Sequence, residues 1–569
     1  MSRLKELNSK KKRKTGLAVS LLIICIGLVP HIILTFMSNP NNSYIVEPIK
    51  LESSDGIYIS AWKYTPTGEK NHGGIVISHY LSGSKLHMHP LSSELAKKGF
   101  TVISIDFRGH GASGGSTGAW FEGYVREPLE KDMEAAVSYF EQNLTYITEI
   151  GLIGHSIGGT KALTLARMHP TRINATVIIG TLPSKIMNIS NLLMIFAAVE
   201  SGITEPYLKQ LLTEYTGKRN VTLGEFYGDW TSGNNTMVYV DSFSEHFFEV
   251  MDTSIIFQSI KWFEQAFAIE STSEISITTP ILQIFTFISF IGVITLTFII
   301  VVYLSDSLFK RKIIYPEREI LKKSKDLSVY KLIKYYSVYI VLIGFIIFLF
   351  LIELFKDVLL ISTVSIILLI LFGNAIGTIL VYFLLIMARV ENSSIKTFHL
   401  KIREMSSTNS GRSTIFGVLT AFLLITGMAT IWHWSAHNII PTISEIGIMI
   451  GLVFISFPFF LFKEFYFRIV QGRLKNTGKL REYLKMVIIG IFMDILIIGL
   501  IKLAGWTYLM LMPKGVLYLF VWIIFSTIQN IFTTWIYMWS GRNILGSTIF
   551  LSILFAWMSI IFLPSFGFL

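Results

Sequence analysis

The chain has one cysteine, Cys25, in 569 residues. A single thiol excludes an intrachain disulfide and any metal site built on paired cysteines. Charge is scarce as well: Asp, Glu, Lys and Arg together make up 15% of the residues, while 52% are hydrophobic. A chain this long and this apolar is not one soluble domain. Acidic residues are also short outside one segment. Between Tyr44 and Glu270 there are 17 Lys/Arg and 24 Asp/Glu, a net of −7, whereas the rest holds 32 basic and 14 acidic residues, a net of +18. The overall +11 therefore does not describe a nucleic-acid binder; it describes basic loops between apolar spans, joined to a mildly acidic domain.

What is present begins with a basic tail, residues 1–15, carrying Arg3, Lys5, Lys10, Lys11, Lys12, Arg13 and Lys14. The apolar run Gly16–Met37 follows and is long enough to cross a bilayer core of about 30 Å. It is longer than the core of a signal peptide, and no small-x-small site precedes Ser38-Asn39-Pro40, so it reads as an uncleaved signal anchor.

Further spans are expected in residues 280–569, at Pro280–Leu304, Tyr335–Phe355, Val358–Ala388, Thr414–Ser435, Ile446–Phe462, Met486–Leu503, Val516–Ile536 and Leu545–Leu563. With the N-terminus inside, the inner loops hold clusters such as Lys310–Lys312, Arg389–Arg412 and Lys463–Lys485, and the outer turns little more than Lys356 and Lys514. That bias places the N-terminus in the cytoplasm and residues from about 40 to 275 outside it, in a multi-pass protein of the cell membrane. The N-x-S/T patterns at Asn41, Asn143, Asn174, Asn188, Asn220 and Asn234 all fall in that external segment.

Within residues 44–270, short β-branched runs alternate with amphipathic stretches. Strands are expected at Ile45–Leu51, Ile57–Tyr64, Gly74–Tyr80, Phe100–Phe107, Glu149–His155, Ala175–Gly180, Leu192–Ala197 and Met237–Val240. Helices are expected at Leu91–Lys98, Leu129–Asn143, Thr160–Met168, Tyr207–Tyr215 and Ser254–Phe267. Such alternation predicts a mainly parallel sheet with helices on both faces.

Ser156 lies in Gly154-His155-Ser156-Ile157-Gly158-Gly159, after the apolar run Ile150–Ile153 and before a helical stretch. Strand, tight turn and helix around G-x-S-x-G is the setting of a nucleophile elbow, whose glycines let the turn close.

Other segments complete a pattern. His79-Tyr80-Leu81-Ser82-Gly83-Ser84 follows the third strand, Asp106-Phe107-Arg108-Gly109-His110-Gly111-Ala112-Ser113 the fourth, and His246 the last. Together these residues resemble the α/β-hydrolase superfamily, which implies an α/β-hydrolase fold, here without room for a large cap, beside an all-α transmembrane bundle. The resemblance implies Ser156 as nucleophile and His246 as base. By the superfamily's order of serine, acid and histidine, the acid is Glu200, after the seventh strand, with Glu205 as the fallback. Asp241 stands too close to His246 in sequence for that role. The oxyanion donors implied are the N–H groups of Ile157 and Leu81, although Tyr80 replaces the usual glycine beside the latter.

Blander roles stand beside these. Ser156 is also compatible with a turn residue in an inactive relative. His155 reads as packing, Asp106 and Arg108 as a structural ion pair or cap, and His87 and His89 as a solvated face. Trp120, Phe121 and Tyr124 form either an acyl-binding wall or packing.

In the last third, Phe462-Lys463-Glu464-Phe465-Tyr466-Phe467-Arg468 resembles the E-E-x-x-x-R motif of CAAX-type intramembrane proteases, with Lys463 in place of the first glutamate. Ser540–Leu545 is similar to the start of their closing helices. No histidine follows His437, and Leu551 stands where those proteases offer one, so this half reads as a degenerate relative or scaffold.

The expected activity is that of a membrane-anchored serine hydrolase, needing no cofactor or metal, that cleaves an ester, thioester or amide on the outer face of the membrane. Its partners are the lipid bilayer and a hydrophobic acyl or peptide substrate, and an alcohol could replace water as acceptor. The alternative is a non-catalytic ligand- or partner-binding domain on a transport or sensing bundle.

Overall fold

The computed structural model describes residues 2–38, 43–80, 83–115, 128–183, 189–198, 203–242, 244, 246, 249–270, 277–309, 329–335, 341–355, 372–373, 375–380, 395–433, 443–471, 479–504 and 516–562. Two compact units divide the chain. One comprises Met1–Ile26, Ile288–Trp434 and Asn438–Ile561; the other is Gly27–Phe287 with Ser435–His437 and Phe562–Leu569.

The basic tail and the apolar run form one continuous helix, α1 (Ser2–Ser38), within which Arg13–Thr35 is long and apolar enough to cross a membrane. Lys, Arg and Leu are all good helix formers, so nothing stops the helix where the charge ends.

The mixed α/β unit then follows the expected sequence of elements closely. β1 (Tyr44–Glu52) and β2 (Tyr58–Pro66) make an antiparallel hairpin, closed by a Gly56 N–H bond to the Ser53 carbonyl at 2.8 Å. After them come β3 (Gly73–Ser78), α2 (His89–Lys97), β4 (Thr101–Ile105), α3 (Glu130–Asn143), β5 (Glu149–His155) and α4 (Ile157–Met168). The unit is completed by β6 (Ala175–Ile179), β7 (Leu192–Ala197), α5 (Glu205–Thr216), β8 (Phe226–Tyr227), β9 (Thr236–Asp241), a 3₁₀ turn (Glu249–Met251) and α6 (Thr253–Ala266).

The nine strands lie in the order β1-β2-β4-β3-β5-β6-β7-β9-β8. From β4 to β9 they are parallel, and β1, β2 and β8 run antiparallel to their neighbours. Successive side chains on a strand point to opposite faces, so one apolar run feeds two cores. On β7, Leu192, Met194 and Phe196 join Met133, Ala162 and Leu208 from α3, α4 and α5. Leu193 and Ile195 join Leu91, Leu95, Ile255 and Phe263 from α2 and α6 on the other face. Full burial of each such side chain contributes about 1.5–3 kcal/mol. Among the described residues, the stretch between β7 and β9 holds α5 and the two-residue β8.

The other unit is helical: besides α1 up to Ile26 it holds α7 (Thr279–Leu308) from Ile288 on, α8 (Val329–Tyr335), α9 (Val341–Phe355), α10 (Ile395–Ser407), α11 (Ser410–His433), α12 (Ile443–Gln471), α13 (Lys479–Ala504), α14 (Val516–Trp539) and α15 (Ile544–Phe562). Among the described residues, four stretches are long and apolar enough to cross a membrane: Arg13–Thr35, Pro280–Leu308, Ser410–Ile431 and Ile446–Gln471. Most of the expected span Val358–Ala388 lies outside the described residues.

One expectation is corrected here. Lys463 and Arg468, assigned above to an inner loop, lie within α12. Lys463 pairs with Asp494 at 2.7 Å, and that carboxylate also accepts from Asn530 (2.7 Å) and Ser526 (3.1 Å). Arg468 pairs with Glu464 at 2.6 Å and donates to Gln471 at 2.7 Å and Thr534 at 3.1 Å. Charges among packed apolar helices are costly unless paired, and here they cross-brace α12, α13 and α14. Lys396, Lys401, Arg403, Arg481 and Lys485 also lie on helices rather than in loops.

Candidate active site

β3 lies between β4 and β5 while the chain runs β3, β4, β5, so connections leave it in both directions. Such a reversal opens a crevice at the carboxyl ends of the strands, where ligands of open α/β sheets bind. Ser156 ends β5 at this crevice. Its backbone has φ 56° and ψ −116°, a conformation that L-residues rarely hold. Its N–H donates to the Ile179 carbonyl at 2.8 Å, and Thr181 Oγ1 donates to its carbonyl at 2.5 Å, so β6 clamps the turn. The flanking glycines are required by space. A Cβ on Gly158 would lie 2.7 Å from the His79 carbonyl oxygen, and one on Gly154 would overlap the Gly158 carbonyl. The elbow read from the sequence is therefore present, with a half-exposed serine at its tip.

Ile157 is the first residue of α4, so its N–H belongs to a turn that lacks intrahelical acceptors. Leu81, the other expected oxyanion donor, lies outside the described residues. The start of its loop is fixed by buried His79. The Phe107 N–H donates to His79 Nε2 at 3.0 Å, which leaves the ring proton on Nδ1 to donate to the Tyr80 carbonyl at 2.7 Å. Burial, helped by the neighbouring His110, holds the His79 pKa well below its usual value, in keeping with a neutral ring.

Asp106 and Arg108 are structural, as expected. Asp106 pairs with Lys85 and accepts from the Lys85 and Ala112 N–H groups at 2.7 and 2.9 Å. Arg108 is held by Asp132 at 2.6 Å and Asp55 at 2.8 Å. The solvated face expected for His87 and His89 is not what forms. His89 is buried at the start of α2 and bonded to the Tyr64 hydroxyl at 2.9 Å, while burial lowers the His87 pKa to about 4. His87, just before α2, accepts from the Ser84 N–H at 3.1 Å through Nδ1. Trp120, Phe121 and Tyr124 lie outside the described residues.

His246 follows β9, and its ring centroid is 4.8 Å from that of His155, the residue before Ser156. His246 and the elbow are thus brought to one end of the sheet. Glu200 lies outside the described residues. Glu205, the fallback acid, is not at the site: it opens α5 with an exposed side chain and pairs with Lys209 one turn on, at 2.7 Å. Asp241 holds the loop after β9, accepting from the Ser244 N–H at 2.6 Å and the Ser254 hydroxyl at 2.5 Å.

Sequence reasoning missed Glu249. This fully buried carboxylate accepts from the Ala197 N–H at 2.9 Å through Oε1. Its Oε2 lies 2.8 Å from His155 Nε2 and 3.4 Å from His246 Nδ1. Burial alone would push the Glu249 carboxyl up, but the two imidazoles outweigh it and hold it below the usual range. The sequence signal was an acidic residue inside the apolar stretch Phe247–Met251. His155, read as packing, is instead a buried hydrogen-bonding partner. One ligand atom each from His155, His246 and Glu249 lie within 4.8 Å of one another, a donor set of the kind that holds a divalent ion. In this arrangement Glu249 Oε2 is already turned toward both rings.

Sheet order, helix placement and elbow define an α/β-hydrolase fold. The alpha/beta hydrolase fold family matches residues 72–224, a stretch that includes Ser156 and ends before His246. Among curated proteins, the chain is similar to serine hydrolase BPHL of Mus musculus, with 30% identity over 117 residues, 21% of this chain and 38% of that protein. It is also similar to a thermostable monoacylglycerol lipase of a Bacillus species, with 28% identity over 151 residues, 25% of this chain and 56% of the lipase. The chain thus spans about two fifths of the first of these relatives and just over half of the second. Among solved structures, an esterase of Pyrococcus furiosus aligns with 17% identity and a TM-score of 0.31, covering 40% of this chain and 95% of the esterase.

Proposed function

We propose that this protein is a membrane-anchored serine hydrolase in which Ser156 is the nucleophile and His246 the general base. The observation that carries the reading is the strained serine turn with an imidazole–carboxylate pair beside it. A serine hydroxyl is a poor nucleophile until a neighbouring base takes its proton. In the first step Ser156 Oγ bonds to the acyl carbon of an ester, thioester or amide as its proton passes to His246 Nε2. The bond to the leaving group breaks and that proton leaves with it, giving an acyl-serine. Water then loses a proton to His246, attacks the acyl carbon and releases the acid, and the proton returns to Ser156. The Ile157 N–H, with that of Leu81, receives the negative charge on the carbonyl oxygen, where each well-aimed donor lowers the barrier by about 3–4 kcal/mol.

The kinship with serine hydrolases and a monoacylglycerol lipase supports this class and favours hydrophobic acyl substrates. The apolar helices support attachment to a bilayer, with the catalytic unit on the external face by the positive-inside bias. The helical unit serves as a scaffold, in keeping with the closed ion pairs at Lys463 and Arg468.

Treatment of the full-length protein in detergent with a fluorophosphonate probe tests the reading. Wild type should label at Ser156 and Ser156→Ala should not, and a panel of short esters, long acyl esters and peptides then sets the substrate class. Folded wild type that takes no label and cleaves none of the panel would point instead to a binding role.

A further inference from the structure

We propose that Glu249 is the carboxylate that positions His246, and that it does so as an acceptor shared with His155. The inference deepens the serine-hydrolase reading and rests on it. An imidazole that is to take a proton at Nε2 must be held at Nδ1, and His246 Nδ1 is the atom that faces Glu249 Oε2, at 3.4 Å. That separation exceeds a formed hydrogen bond, but such contacts are often long in the free enzyme and tighten with substrate bound.

The carboxylate itself has little freedom. The Ala197 N–H fixes Oε1 and His155 Nε2 fixes Oε2. Among the described residues, its ion-pair partners are two histidines, not a lysine or arginine. A carboxylate withdrawn from water survives only with its lone pairs engaged, and here the groups that engage it belong to the ends of β5 and β7 and to the base itself.

Space for the pair is provided by Gly180, the first residue past β6. It has φ 58°, and a Cβ there would lie 2.6 Å from His246 Nδ1 and overlap Glu249 Oε2. The carboxylate is delivered to the end of β7, where the superfamily keeps its acid, but along the chain it follows the histidine by three residues instead of preceding it. His155 joins this carboxylate to the elbow, being adjacent to Ser156 in the chain.

The test compares Glu249→Gln, Glu249→Asp and Glu200→Gln in the full-length protein in detergent. Hydrolysis of a short p-nitrophenyl ester, fluorophosphonate labelling rate and thermal unfolding are read for each. Glu249→Gln should lower kcat by about a hundredfold or more while KM stays within about twofold, because orientation of the base acts in the transition state. Glu249→Asp should recover part of the loss, and Glu200→Gln tests the rival acid to which the superfamily's order points. A folded Glu249→Gln enzyme with near-normal kcat overturns the proposal. If Glu249→Gln does not fold, Glu200→Gln decides: retained activity supports Glu249, and a hundredfold fall in kcat overturns it. A comparable fall in both folded variants also overturns the assignment to Glu249. Wild type that neither labels at Ser156 nor cleaves ester overturns the hydrolase reading, and this proposal with it.

Discussion

Replacing Ser156 by glycine should make the protein inactive and more stable. At φ 56° and ψ −116° the serine sits where any side chain is crowded by its own backbone, and such a residue stores about 1–3 kcal/mol. Glycine removes the crowding but adds freedom to the unfolded chain, which costs about 0.4–1 kcal/mol. Alanine retains Cβ and the strain, so it is the proper reference. The expected net gain of Ser156→Gly over Ser156→Ala is about 0.5–2 kcal/mol, equivalent to a rise of about 1–8 °C for a unit of this size. The assay is thermal unfolding of the full-length variants in detergent, followed through the transition of the α/β unit, with fluorophosphonate labelling as the check that both are inactive. A glycine variant that melts at or below the alanine variant would refute the claim that the turn is held under strain.

The Asp55 carboxyl is lowered to about 2, first by its hydrogen bond with Arg108. A group depressed on folding adds stability above its unfolded pKa and loses it as pH falls through the folded value. Stability should therefore decline between pH 4 and 2, and Asp55→Asn should flatten that limb in acid-unfolding curves. Arg108→Ala leaves buried Asp132 without its main partner and should destabilise the α/β unit by about 3–5 kcal/mol, read by denaturant or thermal unfolding. In the helical unit, Lys463→Met and Asp494→Leu should each lower the melting temperature by stranding the other charge. The double variant should recover most of the loss.

Much of the fold was legible because each strand is a short β-branched run bounded by turn residues, and the sheet buries both faces of most of them. Eight strands were expected, and each forms within a few residues of its expected bounds. Among the described residues, the two-residue β8 was missed, being too short to show a period. The elbow was legible because its constraint is local, with glycines two residues either side of Ser156.

The carboxylate facing His246 was not legible. Searching after the seventh strand pointed to Glu200 and Glu205, whereas the group that meets the ring comes from the loop after β9 and reaches the end of β7 only through packing. His155 was misread for a related reason: a histidine on a buried strand end looks like packing until the partner ninety-four positions away is in place. The loop cations failed differently, since a lysine can continue a helix as easily as end one. Only the matching Asp494 on a neighbouring helix reveals that Lys463 is held inside.

The stretch shared with the hydrolase family closes at residue 224, before β9 and the 3₁₀ turn. A gene cut at that limit would encode Ser156 without His246 or Glu249. The proposed nucleophile thus lies inside the matched stretch, and the base and carboxylate proposed to activate it lie beyond its end.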